Sequence, residues 1–224
     1  MNLSDLKENT VTSLILIFLV AIFVFEALSG GSSNTTTLIR LGAQNNVLIV
    51  NYGQWYRLVT AQFLHIGILH LACNMVMIAY LGPYLERIMG HWRFLALYLL
   101  TGIFGNVMSL AFANDYSISA GASTAVFGLL GAMSIIGYRN RDNQAGLLLG
   151  RQAFSLAVVN IVFNLFMPDI DIWGHIGGFI GGVLIAMVLG SRVLKRYDRW
   201  YRALAFGVLM ALLVFFLKKG LVIG

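Results

Sequence analysis

The chain is short of charge. Asp, Glu, Lys and Arg make up only 11% of its 224 residues, against about a quarter in soluble domains, which excludes an ordinary soluble globular protein. A single cysteine, Cys73, rules out an internal disulfide, and its place in an apolar stretch reads as a small core residue. No H-E-x-x-H run is present, so that zinc-protease arrangement is excluded. The aspartates lie in polar connections, which excludes a pair of facing membrane-embedded carboxylates. Solenoid-type repeats and low-complexity tails are also lacking.

What is abundant is apolar residue, 59% of the chain. Runs long enough to cross a bilayer fall at about 12–29, 64–82, 92–114, 123–138, 152–167, 173–190 and 203–217. This pattern predicts an all-α, polytopic transmembrane bundle of seven helices. The fourth and fifth runs are short, as suits helices that begin below the membrane surface beside a water-filled cavity. The formal charge of +6 is scattered among short connections, so it reports topology and not a nucleic-acid surface.

With the N-terminus inside, Lys7, Arg87, Arg93, Arg139, Arg141, Arg151, Arg192, Lys195, Arg196, Arg199 and Arg202 are cytoplasmic, and Arg40, Arg57, Lys218 and Lys219 lie outside. The excess inside predicts a cytoplasmic N-terminus and an outer C-terminus. The first apolar run has a weak n-region and no A-x-A site after it, and is expected to be a retained helix. The expected organisation is a cytoplasmic segment 1–11, a core 12–190 containing a long first loop 30–63, and a segment 191–224 holding the seventh helix. A loop that long is expected to be folded, anchored at the interface by Trp55, Tyr56 and Phe63.

Polar side chains at membrane depth are costly and mark function. Ser123 opens the fourth run behind Gly121 and Ala122, where the unpaired N–H groups of a first helical turn stabilise a developing oxyanion. Phe127 lies one turn on, on the same face. His175 is followed by Gly178 and Gly182, a small-residue stripe matching Thr124, Gly128 and Ala132, which lets two helices approach closely enough for imidazole to take the serine proton. His70 and Asn74 share a helix face and suit an oxyanion hole. Each residue has a plainer reading: Ser123 as packing, His175 as a satisfied core histidine, His70 and Asn74 as an interhelical pair. A transporter would instead use His70, Asn74, Asn160, Asn164 and His175 as a polar path.

In these motifs, Trp55-Tyr56-Arg57, His70-x-x-x-Asn74, Gly121-x-Ser123 and His175-x-x-Gly178-x-x-x-Gly182, the chain resembles the rhomboid family of intramembrane serine proteases, from about Gly53 to Gly190, and the helix after it resembles the members with six core helices plus a seventh at the C-terminus. The resemblance implies Ser123 as nucleophile and His175 as general base and acid, a dyad without a carboxylate. It implies an oxyanion hole of His70, Asn74 and the Ser123 N–H, with Phe127 stacking on the histidine and Gly121, Gly178 and Gly182 supporting the dyad. Trp55 and Arg57 would hold the first loop, and Glu86 a structural contact at the cytoplasmic end. Thr124 departs from the family's usual glycine and would widen the contact with the sixth helix, with Gly174 offering room. Asp169 and Asp171 read as a solvated outer turn outside the mechanism; His65, near the outer interface, and His91 read as non-catalytic.

The resemblance further implies transmembrane protein substrates entering beside the fifth helix with Phe154, Phe163 and Phe166, small residues at the cut, and neither metal nor organic cofactor. The partners are then the bilayer and the substrate, with no nucleic acid. The alternative within the same fold is a non-catalytic protein that binds transmembrane segments. A compact chain without an appended soluble domain points to a bacterial plasma membrane.

Overall fold

The computed structural model describes residues 9–167, 170–192 and 197–222, and among these it is built from helices, with one isolated bridge pairing Gln44 with Ser119. Seven are long: α1 (Thr10–Leu28), α5 (Ile68–Met89), α6 (His91–Phe112), α7 (Ser123–Arg139), α8 (Gln144–Asn164), α9 (Ile172–Leu189) and α10 (Arg199–Gly220). Between α1 and α5 the chain forms the short helices α2 (Thr35–Leu41), α3 (Asn46–Tyr52) and α4 (Arg57–Thr60), and a 3-10 turn, Ala61–Phe63. Six of the long helices are long and apolar enough to span a membrane. The 17-residue α7 is the buried centre, packed against α5, α6, α8 and α9.

Lipid tails are as apolar as leucine, so helices in a bilayer associate through close packing and not through a hydrophobic drive. Small residues supply it here. A Cβ on Gly178 would collide with the Thr124 carbonyl of α7, and one on Gly182 with the Gly128 carbonyl. The two stripes thus pack backbone to backbone, which sets α7 and α9 in register. Larger residues fill the remainder, with Leu97, Tyr98, Leu129 and Met89 wholly enclosed.

Several expectations are corrected. The fifth run was expected at 152–167, whereas α8 starts at Gln144 and ends at Asn164. Its first two turns carry two glycines between Gln144 and Arg151, yet Gly146 and Gly150 are contact points where α8 meets the backbone of α7 at Gly137, and Asn143 caps the helix by accepting the Gly146 N–H at 3.2 Å. The second run was expected at 64–82; α5 instead runs through Pro83 to Met89, because Leu85, Glu86, Ile88 and Met89 are buried against neighbouring helices. Cys73 is exposed and not a core residue, since its side of α5 faces a cavity. Residues 1–8, including Lys7, and Asp169, Lys195 and Arg196 lie outside the described residues.

The cytoplasmic-end carboxylate has a definite task. Glu86 on α5 accepts the Val11 N–H (2.8 Å), the Thr12 N–H (2.8 Å) and the Thr12 hydroxyl (2.6 Å). It thus supplies acceptors for the unpaired donors and positive dipole end of α1. His91 Nδ1 meets the same carboxylate at 2.5 Å.

Candidate active site

The site is assembled from the loop upward. Arg57 is 4% exposed, and its guanidinium donates to the Ile39 carbonyl (2.8 Å), the Ala43 carbonyl (2.7 Å) and Gln54 Oε1 (2.7 Å). One buried cation thereby ties the short helices together through charge-assisted bonds. Trp55 is 41% exposed and flanks this knot without a side-chain hydrogen bond of its own among those described. Phe63 packs edge-on against Phe18 of α1, centroids 5.2 Å apart.

The folded loop then holds the segment that leads into α7. Gln44 and Ser119 exchange backbone hydrogen bonds at 2.8 and 3.1 Å, Asn45 Nδ2 donates to the Ser117 carbonyl (3.2 Å), and the Gly121 N–H donates to the Ala61 carbonyl (3.0 Å). Gly121 has φ of 152°, and a Cβ there would lie 2.9 Å from His70 Nε2. Only the absent side chain lets the imidazole of α5 approach the turn that leads into Ser123.

His65 belongs to this support as well. It is fully buried. Its Nε2 accepts the Ala122 N–H at 3.3 Å, while its backbone N–H donates to the Glu26 carboxylate of α1 at 3.1 and 3.2 Å. Burial, reinforced by His70 5.4 Å away, pushes the His65 imidazole down to about 3, so it is a neutral acceptor.

Ser123 is the first residue of α7, and its Oγ lies 2.8 Å from His175 Nε2 on α9. The Phe127 ring stacks on the imidazole, centroids 4.3 Å apart and planes 13° from parallel. The Thr124 methyl faces Gly174 and its Cβ faces Gly105, so two glycines take up its bulk. Asn74 is buried, with its Nδ2 donating to the His70 carbonyl at 3.1 Å.

The solvated-turn reading of Asp171 is corrected. Its Oδ1 accepts the Gly174 N–H (2.9 Å) and caps α9, while its Oδ2 accepts the Ser109 hydroxyl of α6 (2.6 Å). It orients the start of α9 and makes no hydrogen bond to the imidazole. The imidazole's other nitrogen is met by a residue the sequence reading did not place there: Asn164 Nδ2, at the end of α8, donates to His175 Nδ1 at 2.6 Å.

Ser123, His175, His70, Asn74, Asn164 and Cys73 all line one cavity of about 570 Å³. A hydroxyl against an imidazole, beside the N–H groups of a helix N-terminus and two further polar side chains, is a constellation suited to acyl transfer. Phe154, Phe163 and Phe166 on and after α8 are exposed at the bundle's periphery. Larger grooves on the bundle surface are lined mainly by apolar residues and do not bring a serine against an imidazole.

Comparison with known proteins agrees with this architecture. The family model for the Rhomboid domain matches residues 52–192. The chain is 40% identical over 214 residues to "Rhomboid protease GluP" of Bacillus subtilis (strain 168), covering 96% of this chain and 41% of that protein. It is 37% identical over 174 residues to "RHOMBOID-like protein 7" of Arabidopsis thaliana, 75% of this chain and 54% of the relative. With "Rhomboid-like protease 3" of Toxoplasma gondii it shares 34% identity over 177 residues, 78% and 66% respectively. The chain thus spans between two fifths and two thirds of the length of these relatives. Its apolar helices, their glycine-mediated packing and the matched domain together make it an integral, multi-pass membrane protein that belongs to the rhomboid family.

Proposed function

We propose that the chain is an intramembrane serine endopeptidase that cuts transmembrane segments of membrane proteins with a Ser123–His175 dyad. The observation that carries this reading is the 2.8 Å approach of Ser123 Oγ to His175 Nε2 within a cavity that also holds His70 and Asn74.

In the reaction, Ser123 Oγ attacks the scissile carbonyl carbon as its proton passes to Nε2 of the neutral imidazole. The carbonyl oxygen becomes an oxyanion facing the Ser123 N–H, His70 and Asn74, for which Asn74 turns its amide from the His70 carbonyl into the cavity. Collapse of this intermediate breaks the C–N bond, and the imidazolium returns the proton to the leaving amine. Water then attacks the acyl-enzyme, giving its proton to Nε2, and release of the carboxylic acid restores the Ser123 hydroxyl. Phe127 holds the ring plane fixed through both proton transfers.

Orientation follows from the basic residues: the N-terminus is cytoplasmic, and the loop that shares the site's end of the bundle faces outward. Substrate then reaches the site near the outer leaflet, beside α8, and a segment rich in small and helix-weakening residues unwinds most readily into it. A bacterial plasma membrane is the setting this reading favours. The test is cleavage of a fluorogenic transmembrane peptide in proteoliposomes by wild type, Ser123→Ala and His175→Ala. Cleavage by wild type and loss in both variants is expected; cleavage that survives loss of the Ser123 hydroxyl overturns the proposal.

A further inference from the structure

The hydrogen bond between Asn164 and His175 bears on which ring nitrogen carries the proton. A neutral imidazole has one N–H, and the partner of one nitrogen decides the role of the other. Asn164 Nδ2 donates to Nδ1 at 2.6 Å, so Nδ1 offers its lone pair and the proton sits on Nε2. From there the ring donates to Ser123 Oγ, 2.8 Å away. In that tautomer it cannot accept the serine proton.

Turning the Asn164 amide half a revolution about its Cβ–Cγ bond puts Oδ1 where Nδ2 was, with the same footprint. Oδ1 needs a donor, so Nδ1 must then hold the proton and Nε2 presents a lone pair to Ser123. Water in the open cavity delivers a proton to Nδ1, and the imidazolium so formed releases its Nε2 proton back to water, so that neither net charge nor proton count changes.

Among the described residues, Asn164 is the side chain hydrogen-bonded to Nδ1. Asp171 has both oxygens engaged, on Gly174 and Ser109. The titratable groups facing His175 are Asp171 at the start of its own helix and His70 on α5; α6, α7 and α8 present the neutral Ser109, Ser123 and Asn164.

We infer that Asn164 is a positioning residue which selects the His175 tautomer, so that the end of α8 switches the dyad between an idle and a base-competent state. This deepens the proposed protease reading and rests on it. The position of Asn164 in the fold links the switch to substrate. Beyond Ala157 the side chains of α8 are exposed except for Ile161 and Asn164, and the Asn164 contact is the side-chain hydrogen bond among those described that ties this end to the bundle. A transmembrane segment entering beside α8 bears on the element that carries the amide.

The test uses the full chain in detergent micelles, comparing wild type with Asn164→Asp and Asn164→Leu. Aspartate accepts but cannot donate, and leucine does neither. 15N spectra of histidine-labelled protein, with His175 assigned by its loss in His175→Ala, should report Nε2–H in the wild type and Nδ1–H in Asn164→Asp. With a fluorogenic transmembrane peptide, Asn164→Leu should lower kcat about tenfold at unchanged KM, the size of one lost orienting hydrogen bond. Asn164→Asp should keep kcat at high pH while its acid limb moves to higher pH, because a carboxylate at Nδ1 favours the imidazolium. The same tautomer in wild type and Asn164→Asp, or an acid limb that does not move, overturns the inference. If Asn164→Leu does not fold, Asn164→Asp carries the test. Failure of the dyad itself is seen separately, as wild-type activity that persists in Ser123→Ala; the tautomer spectra decide the role of Asn164 in either case.

Discussion

Gly178→Ala should separate catalytic geometry from folding more sharply than removal of either dyad member. A Cβ at this position would lie 3.0 Å from the Thr124 carbonyl carbon and 3.3 Å from its Cα, with the carbonyl oxygen closer still. Carbon contacts settle at about 3.5–4.0 Å, so the backbones of α7 and α9 must part by about 0.5–1 Å. That movement carries Ser123 and His175 apart, because each sits within one turn of the contact. The 2.8 Å Oγ to Nε2 distance then opens to about 3.5 Å, beyond a useful hydrogen bond. A misplacement near 1 Å costs about 100-fold in rate. Stability moves less: overpacking costs about 1–3 kcal/mol, while alanine in place of glycine returns up to about 1 kcal/mol of helix propensity. At about 2–4 °C per kcal/mol, Tm should fall by only a few degrees. Peptide cleavage and a thermal melt on one detergent preparation read both quantities. A variant that cleaves within twofold of wild type would refute the claim that this contact sets the dyad distance.

Other outcomes follow from the supporting contacts. Glu86→Ala leaves the Val11 and Thr12 N–H groups of α1 without their acceptor and should cost about 2–4 kcal/mol, read as a lower Tm with the labelling rate per folded molecule unchanged. His65 is held near 3 in the fold against about 6.5 unfolded, so the unfolded chain binds the extra proton. Its contribution is therefore complete above pH 6.5 and is lost as pH falls from there toward 3, and denaturation between pH 7 and 4 should show wild type losing more stability than His65→Asn. Cys73 is exposed in the cavity that holds Ser123, so a bulky maleimide on its thiol should block peptide cleavage, and Cys73→Ala should be insensitive to the reagent.

Much of this architecture is legible in residue order because membranes leave the backbone few options. Apolar length marks the spans, and the glycines after His175 announce a close helix contact that the structure places against Thr124 and Gly128. What is not legible depends on side chains meeting across distant turns. The start of α8 is hidden because Gly146, Gly150 and Arg151 look like a connection until the facing backbone of Gly137 is known. The burial of His65 is hidden because its partners, Glu26 of α1 and Ala122 just before α7, are distant in sequence. Asp171 resembles any turn aspartate until Ser109 of α6 lies beside it. Asn164 carried one weak signal, an amide at membrane depth, which was compatible with a polar path as readily as with a partner for imidazole.

The central claim is that Ser123 is a nucleophile activated by His175 across the α7–α9 contact. Mass spectrometry of detergent-purified protein after treatment with a fluorophosphonate tests it most directly. The phosphonyl adduct should map to the peptide containing Ser123 and be absent from Ser123→Ala and His175→Ala. An adduct formed equally in wild type and His175→Ala, or located elsewhere in the chain, would contradict the claim.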